Sequence, residues 1–185
     1  MLQTGKIIKE FTSKSGKQIT IRYPRWEDLD GMLKNINALA RENTFIAVSE
    51  EKTKEEEMDF LCDTLKKMEK NDEVFLVVES EGKLVGSTGV TRETAHARSR
   101  HVGDIGIVVL KEFRGDGIGQ EMLLTILEQA KNVLNLTLVQ LTVFGVNDVA
   151  KSLYSKLGFI HAGTIPGALL YKEQFIDHDM MYKKL

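Results

Sequence analysis

The six residues Arg114-Gly115-Asp116-Gly117-Ile118-Gly119 constrain the fold more than any other stretch of this chain. An apolar run, Ile105-Gly106-Ile107-Val108-Val109-Leu110, leads into them. Behind them Ile118, Met122, Ile126, Leu127 and Ala130 recur at helical spacing. Closely spaced glycines let the backbone turn sharply and let a ligand approach without meeting a Cβ. The turn ends at a helix N-terminus, where unpaired N–H groups and the helix dipole favour an anion. The pattern predicts a phosphate cradle between a strand and a helix.

Three phosphate-binding patterns compete for this stretch. A Walker loop needs Gly-x-x-x-x-Gly-Lys-Ser/Thr, and the sequence holds no such string. A dinucleotide fingerprint needs Gly-x-Gly-x-x-Gly and an acid ending the next strand. Here the third glycine, Gly119, comes one residue early, and the next apolar run, Leu138 to Phe144, ends without an acid. The third pattern, Arg/Gln-x-x-Gly-x-Gly/Ala between strand and helix, fits Arg114 to Gly119 at every position.

Composition narrows the setting. A chain of 185 residues with 42% hydrophobic content suits one domain spanning residues 1–185. Its 25 Lys+Arg against 27 Asp+Glu argue against a nucleic-acid partner. Cys62 is the only cysteine, which excludes an internal disulfide and a cysteine zinc cluster. The four histidines, His96, His101, His161 and His178, lack metal-ligand spacing, so no metal is expected. The first ten residues carry no long apolar run and no segment reaches transmembrane length. The expectation is a cytoplasmic protein without a membrane partner.

Hydrophobic periodicity predicts a hairpin from Ile7–Phe11 and Gln18–Tyr23, then helices over Trp26–Ala40 and Lys54–Lys70. The second helix is expected to bury Met58, Leu61, Cys62, Leu65 and Met68. A second hairpin follows, Val74–Glu79 with Leu84–Thr91, and then the strand Val102–Leu110. The glycine turn opens a helix over Gly117–Val133, followed by a strand over Leu138–Phe144 and a helix over Asn147–Leu157. Two strands, Phe159–Ile165 and Ile176–Lys183, close the chain. A βαβ centre with antiparallel flanks predicts an α+β fold: a mixed, mostly antiparallel twisted sheet of about seven strands with helices on both faces.

A second motif supports the first. After the strand Leu138–Phe144 comes Asn147-x-x-Ala150-x-x-Leu153-Tyr154-x-Lys156-x-Gly158-Phe159. Asn147 and Tyr154 stand seven residues apart, which places them on nearly one helix face. With both motifs in this order, the chain resembles the GCN5-related N-acetyltransferase (GNAT) superfamily. The resemblance is carried by Val102 to Phe159, and the flanking elements fit the same fold.

The resemblance implies an acetyl-CoA-dependent N-acetyltransferase without a metal. Arg114, Gly115, Asp116, Gly117, Ile118 and Gly119 would hold the diphosphate of acetyl-CoA, with the Asp116 side chain turned to solvent. The backbone of Ile107, Val108 and Val109 would bind the pantetheine arm where this strand splays from the next, often at a bulge. Asn147 would hydrogen-bond the arm, and Tyr154 would donate a proton to the leaving thiolate, since a free phenol titrates near ~10. Asp104 and Glu79 are the candidates for the base that takes the amine proton. Segments 41–48 and 163–177 would line the acceptor site. The implied acceptor is a primary amine of a small molecule, polyamine or amino-acid-like, attacking directly within a ternary complex. A protein N-terminus or lysine is the alternative acceptor, and a non-catalytic acyl-CoA sensor the alternative role. A homodimer is left open.

Overall fold

Each predicted strand run becomes a strand in the computed structural model, which describes residues 3–185. The hairpin β1 (Ile7–Thr12) and β2 (Gln18–Arg22) precedes α1 (Leu29–Glu42) and α2 (Lys54–Glu69). Then come β3 (Glu73–Ser80), β4 (Lys83–Arg92) and β5 (Val102–Val109), followed by α3 (Ile118–Asn132) and β6 (Leu138–Phe144). The chain closes with α4 (Asp148–Lys156), β7 (Ile160–Tyr171) and β8 (Gln174–Lys184). The strands form one eight-stranded sheet, ordered β1-β2-β3-β4-β5-β6-β8-β7, one strand more than the seven or so expected. Neighbours pair antiparallel except β5 and β6, which run parallel across the α3 crossover.

Helices cover both faces because the central strands are apolar on both. In β3, Val74, Leu76 and Val78 pack toward Ile118, Met122, Leu123 and Ile126 of α3. The alternate residues Phe75 and Val77 pack with Leu29 and Met32 of α1 and Leu61 of α2. The α3 side chains are almost wholly buried, each worth about 1.5–3 kcal/mol of transfer free energy. The N-terminus of α2 is set by a capping box. Glu56 N–H donates to Thr53 Oγ1 (3.2 Å) while Thr53 N–H donates to Glu56 Oε2 (2.8 Å).

Two local expectations are corrected. The buried residues of α2 are Glu57, Leu61 and Thr64, while Met58 is exposed. This helix therefore turns a partly polar stripe inward, over a polar part of the sheet. The last hairpin is also longer than its hydrophobic pattern suggests: β7 reaches Tyr171 and β8 begins at Gln174. Lys172 and Glu173 form its tip with φ of 48° and 63°. A two-residue turn with both centres left-handed usually carries Asn or Gly, so Lys-Glu gives no turn signal. The register shift between Ile165 and Leu169 absorbs Pro166 inside β7.

Glu79 lies in a buried ion cluster that joins the first hairpin to β3. Arg22, with 4% of its surface exposed, donates to both carboxylate oxygens of Asp28 at 2.7 Å. It also donates through Nε and Nη2 to Glu79 Oε2 at 3.1 and 2.9 Å. Removing Asp28 would take two hydrogen bonds and the more buried of its two acids from a buried guanidinium, leaving it only Glu79. Asp28→Ala is expected to cost about 3–5 kcal/mol in urea unfolding; a loss below about 1 kcal/mol, the range of a surface pair, would show the cluster to be solvated.

Candidate active site

β5 and β6 pair over only three residues of each, Val102–Asp104 against Leu138–Gln140, and then part. β5 stays paired with β4 along its length, from Gly86 opposite Val109 to Arg92 opposite Gly103. No register shift is present in either ladder, so the strands diverge without the bulge expected from the resemblance. The ladder phase is set at its ends: Glu93 N–H donates to Val102 O (2.9 Å) and Leu110 N–H to Val85 O (2.9 Å). Even-numbered residues of β5 thus face β4 with their backbone groups, and Ile107 and Val109 face the gap. Val108, grouped with them on sequence, directs its N–H and C=O to Ser87. The Val109 carbonyl is taken by Arg114 Nε at 2.8 Å. Ile107 N–H, Ile107 C=O and Val109 N–H remain as a free strand edge at the mouth of the gap.

The glycine turn lies where β5 ends. Gly115 and Gly117 have φ of 75° and 85°, left-handed conformations that favour glycine. Gly117 occupies the N-cap of α3 and supplies no side-chain cap. Among the described residues, no backbone carbonyl outside regular ladders accepts from the amides of 115–119, so donors converge there unused. Arg114 does not point into this cradle. Its guanidinium grips Glu42 at the end of α1 through two bonds of 2.7 and 2.8 Å. That pairing holds the Glu42 carboxyl below its usual range.

Asp116 departs from expectation. Its side chain is buried, not turned to solvent, and accepts from Ser15 N–H (2.6 Å) and Ser15 Oγ (2.5 Å). The Ser15 hydroxyl leads the causes that lower its carboxyl from the ordinary value. Lys14 N–H donates to the Asp116 carbonyl (3.2 Å), and the Lys14 stem passes within 3.5 Å of where a Gly117 Cβ would stand. The acid thus pins the β1–β2 turn to the glycine loop, and that turn brings a lysine beside the cradle. Lys14 was not legible as a site residue, since it lies about a hundred residues away in sequence.

Asn147 caps α4, its side-chain oxygen accepting from Ala150 N–H at 3.2 Å, which leaves its amide nitrogen unspent. Tyr154, 8% exposed, packs against Phe159 with ring centroids 5.8 Å apart. Burial pushes its phenol up to about 12, so it stays protonated throughout the neutral range. Its hydroxyl makes no hydrogen bond to the described residues, yet Arg92 Nε is their only side-chain polar atom both sealed and without a hydrogen bond. The phenol oxygen therefore reaches open space.

On the opposite face of β5 lies a cavity of about 540 Å3 beneath α1 and α2. Its floor is made of rungs across β3, β4 and β5. Glu73, Thr91 and Asp104 form one rung; Phe75, Gly89 and Gly106 the next; Val77, Ser87 and Val108 the third. Gly106 leaves open space where a Cβ would stand, which gives the cavity depth beside the free edge of β5. Met32, Ile36 and Leu39 of α1 and Glu56, Glu57 and Phe60 of α2 form the roof. Asp104 accepts from Gln140 Nε2 at 3.0 Å, at the last rung before the strands part. Its carboxyl opens to the cavity, but the surrounding walls desolvate it enough to raise it from the ordinary value.

Glu79 does not reach this cavity. Glu57 and Glu73 do, and neither was singled out on sequence. The signal for Glu57 was an acid four residues before the buried Leu61; the signal for Glu73 was an acid opening an apolar strand. Of the two segments expected to line the acceptor site, only Val48 borders the cavity. The segments meet each other instead. Phe45 packs on Phe144 and Tyr171 with centroids 5.6 and 5.1 Å apart, and Tyr171 Oη donates to Asn43 O at 2.9 Å. With Arg114–Glu42 on one side and this aromatic group on the other, the end of α1 and its loop bridge the parted strands.

Among the described residues, no three of His, Cys, Asp and Glu assemble as metal ligands, and no helix is long and apolar enough to cross a membrane. A model of the acetyltransferase (GNAT) family matches residues 33–159. An N-alpha-acetyltransferase of Sulfurisphaera tokodaii is 30% identical over 156 residues, covering 80% of this chain and 83% of that one. The L-amino acid N-acetyltransferase AaaT of Escherichia coli is 30% identical over 102 residues, 55% of this chain but only 62% of that enzyme. A GNAT-family acetyltransferase from Streptococcus pneumoniae superposes with a TM-score of 0.81 at 28% identity, covering 90% of this chain and 99% of that one. The yncA acetyltransferase of Salmonella typhimurium, solved with its cofactor acetyl-CoA, superposes at 0.80 with 16% identity, covering 90% and 94%. The chain belongs to the GNAT family. The members of this family are acetyltransferases, and the unused amides and free strand edge fit the diphosphate and amide-rich arm of acetyl-CoA, the cofactor held in the yncA structure.

Two outcomes are expected. Gly117→Val places a branched side chain at a left-handed φ and over the cradle, at a cost of about 1–2 kcal/mol in stability. Calorimetry should show acetyl-CoA binding lost in the folded variant; unchanged affinity would move the cradle elsewhere. Desolvation raises the Glu73 carboxyl in the native state, with Lys67 opposing and Asp63 reinforcing. A raised group binds protons more tightly when folded, so its contribution is full below about pH 4 and lost as pH rises through the folded value. Glu73→Gln should therefore gain stability over the natural protein as pH rises from 4 to 8, read by thermal unfolding; a constant difference would refute the burial.

Proposed function

We propose that this enzyme acetylates a primary amine of a small molecule, polyamine or amino-acid-like, with donor and acceptor bound together. The observation that carries this reading is the cavity under α1 and α2, which opens on β5 beside the strand's free edge. Its volume of about 540 Å3 falls in the range of pockets that enclose small molecules. Acetyl-CoA brings the activated thioester, and the chain's residues do the rest. The amides at 115–119 and Lys14 hold the diphosphate, and the Ile107–Val109 edge and the Asn147 amide hold the arm. Holding both reactants in line supplies much of the acceleration.

The amine nitrogen bonds to the thioester carbon while an N–H of the free β5 edge stabilises charge on the oxygen. Asp104, raised from its usual range, takes the amine proton directly or through water. As the carbon–sulfur bond breaks, Tyr154 gives its proton to the thiolate and is reprotonated from solvent. Glu79 is spent on Arg22 and takes no part. A protein N-terminus as acceptor is favoured by the name of the Sulfurisphaera tokodaii relative, and it would have to thread its first residue beneath the α1–α2 roof.

Tyr154→Phe is expected to lower kcat by about 10²-fold or more while acetyl-CoA affinity is kept; equal turnover would remove the phenol from the reaction. A free-thiol assay across polyamines, amino acids and short peptides separates the acceptors. Turnover of peptides alone would replace the small-molecule reading with the N-terminal one.

A further inference from the structure

Glu57 and Glu73 carry an inference that the acetyl-transfer chemistry does not need. Glu57, on α2, is 6% exposed; Glu73, on β3, is 7% exposed; both line the cavity. Neither makes an ion pair with a described residue; the Thr91 and Thr64 side chains hydrogen-bond the Glu73 carboxyl, while the Glu57 carboxyl has no hydrogen-bond partner among the described residues. The nearby lysines are engaged elsewhere: Lys52 Nζ with Glu56 at 3.1 Å and Lys67 Nζ with Asp63 at 2.6 Å. The Glu57 oxygens are not sealed in protein, so they face the cavity. Desolvation dominates both carboxyls and raises them, as happens to an acid lacking its counter-ion.

Burying a carboxylate without a partner is costly, and a core-facing position could hold leucine instead. Glu73 shares its rung with Asp104 across one intervening strand, so their backbones stand about 10 Å apart. Thr91 stands between these two acids, and the next rung is apolar: Phe75 and Phe60 stack edge to face at 5.7 Å, with Met32 and Ile36 above. The cavity lining thus combines carboxylates with a hydrocarbon surface beside them. An amino acid's carboxylate would meet like charge here, with Lys52 at the rim already paired.

We infer that Glu57 and Glu73 bind a second cationic group of the acceptor, so that the substrate is a flexible aliphatic diamine or polyamine. The amine at the Asp104 end is acetylated, the hydrocarbon spacer lies on the aromatic floor, and the far ammonium is paired by Glu57 and Glu73. This deepens the small-amine reading of the same site and rests on it.

The test is calorimetric binding of putrescine and of butylamine, its single-charge analogue of equal carbon length, to the enzyme saturated with CoA. The natural protein should bind putrescine at least about tenfold more tightly, one pairing's worth of about 1.4 kcal/mol. Glu57→Gln and Glu73→Gln should each erase most of that difference and raise the thermal midpoint of the amine-free protein, because both relieve a buried charge. Equal affinity for the two amines in the natural protein, or a preference that survives both substitutions, would overturn the inference. Thiol release from acetyl-CoA, measured in separate samples without CoA, reports on the enzyme reading separately. Turnover of butylamine and amino acids without preference for putrescine leaves an acetyltransferase and sinks the dication site. Tight putrescine binding that depends on both glutamates, without turnover, keeps the dication site and sinks the acceptor assignment.

Discussion

The parting of β5 from β6 governs the rest of this molecule. Parallel pairing lasts from Val102 to Asp104 and then stops, although both strands continue. Within a sheet, unpaired backbone groups beside a gap are costly unless something supplies partners. Here the gap is bordered by the glycine turn at the end of β5, by the Tyr154 face of α4 and by the rung that holds Asp104. One topological event thus creates a free strand edge, aims it at a helix N-terminus, and joins that edge to the cavity on the other face.

The surrounding interactions keep this opening in shape. Arg114 ties the end of α1 to the glycine turn through Glu42 and Val109. On the far side Phe45, Phe144 and Tyr171 hold the α1–α2 loop to β6 and β7. Asp116 fastens the first hairpin to the loop and carries Lys14 to its side. Arg114, which the motif reading assigns to the ligand, and the Asp116 side chain, which it turns to solvent, are instead fasteners of the glycine loop. The loop's unused donors are backbone amides, which need no side chain and so leave little trace beyond glycine.

The cavity beneath α1 and α2 follows different physics. Its floor is a regular antiparallel ladder, and its character comes from which residues fall in register. Gly106 opens space in the middle rung, and two buried acids without partner cations give the cavity its charge. Such acids are tolerated because the favourable packing of α3 and β3 elsewhere outweighs their burial. They make the pocket a place where the fold gives up stability.

The fold class, the glycine turn from strand to helix, the paired motifs of α3 and α4 and the family were all determined by the sequence alone. They depend on local signals: period, left-handed glycines and fixed spacings on one helix. The reach of β7 to Tyr171 escaped that reading because Lys172 and Glu173 adopt left-handed turns without the residues that announce them. Only the tertiary structure decided where each carboxylate goes. Asp104 and Glu73 share a rung, Glu79 is spent on Arg22, Asp116 is spent on Ser15, and Glu57 lies under a helix that turns it inward. An acid's role depends on the partner brought to it from distant sequence, and strand register and helix rotation, which set that partner, are properties of the packed whole.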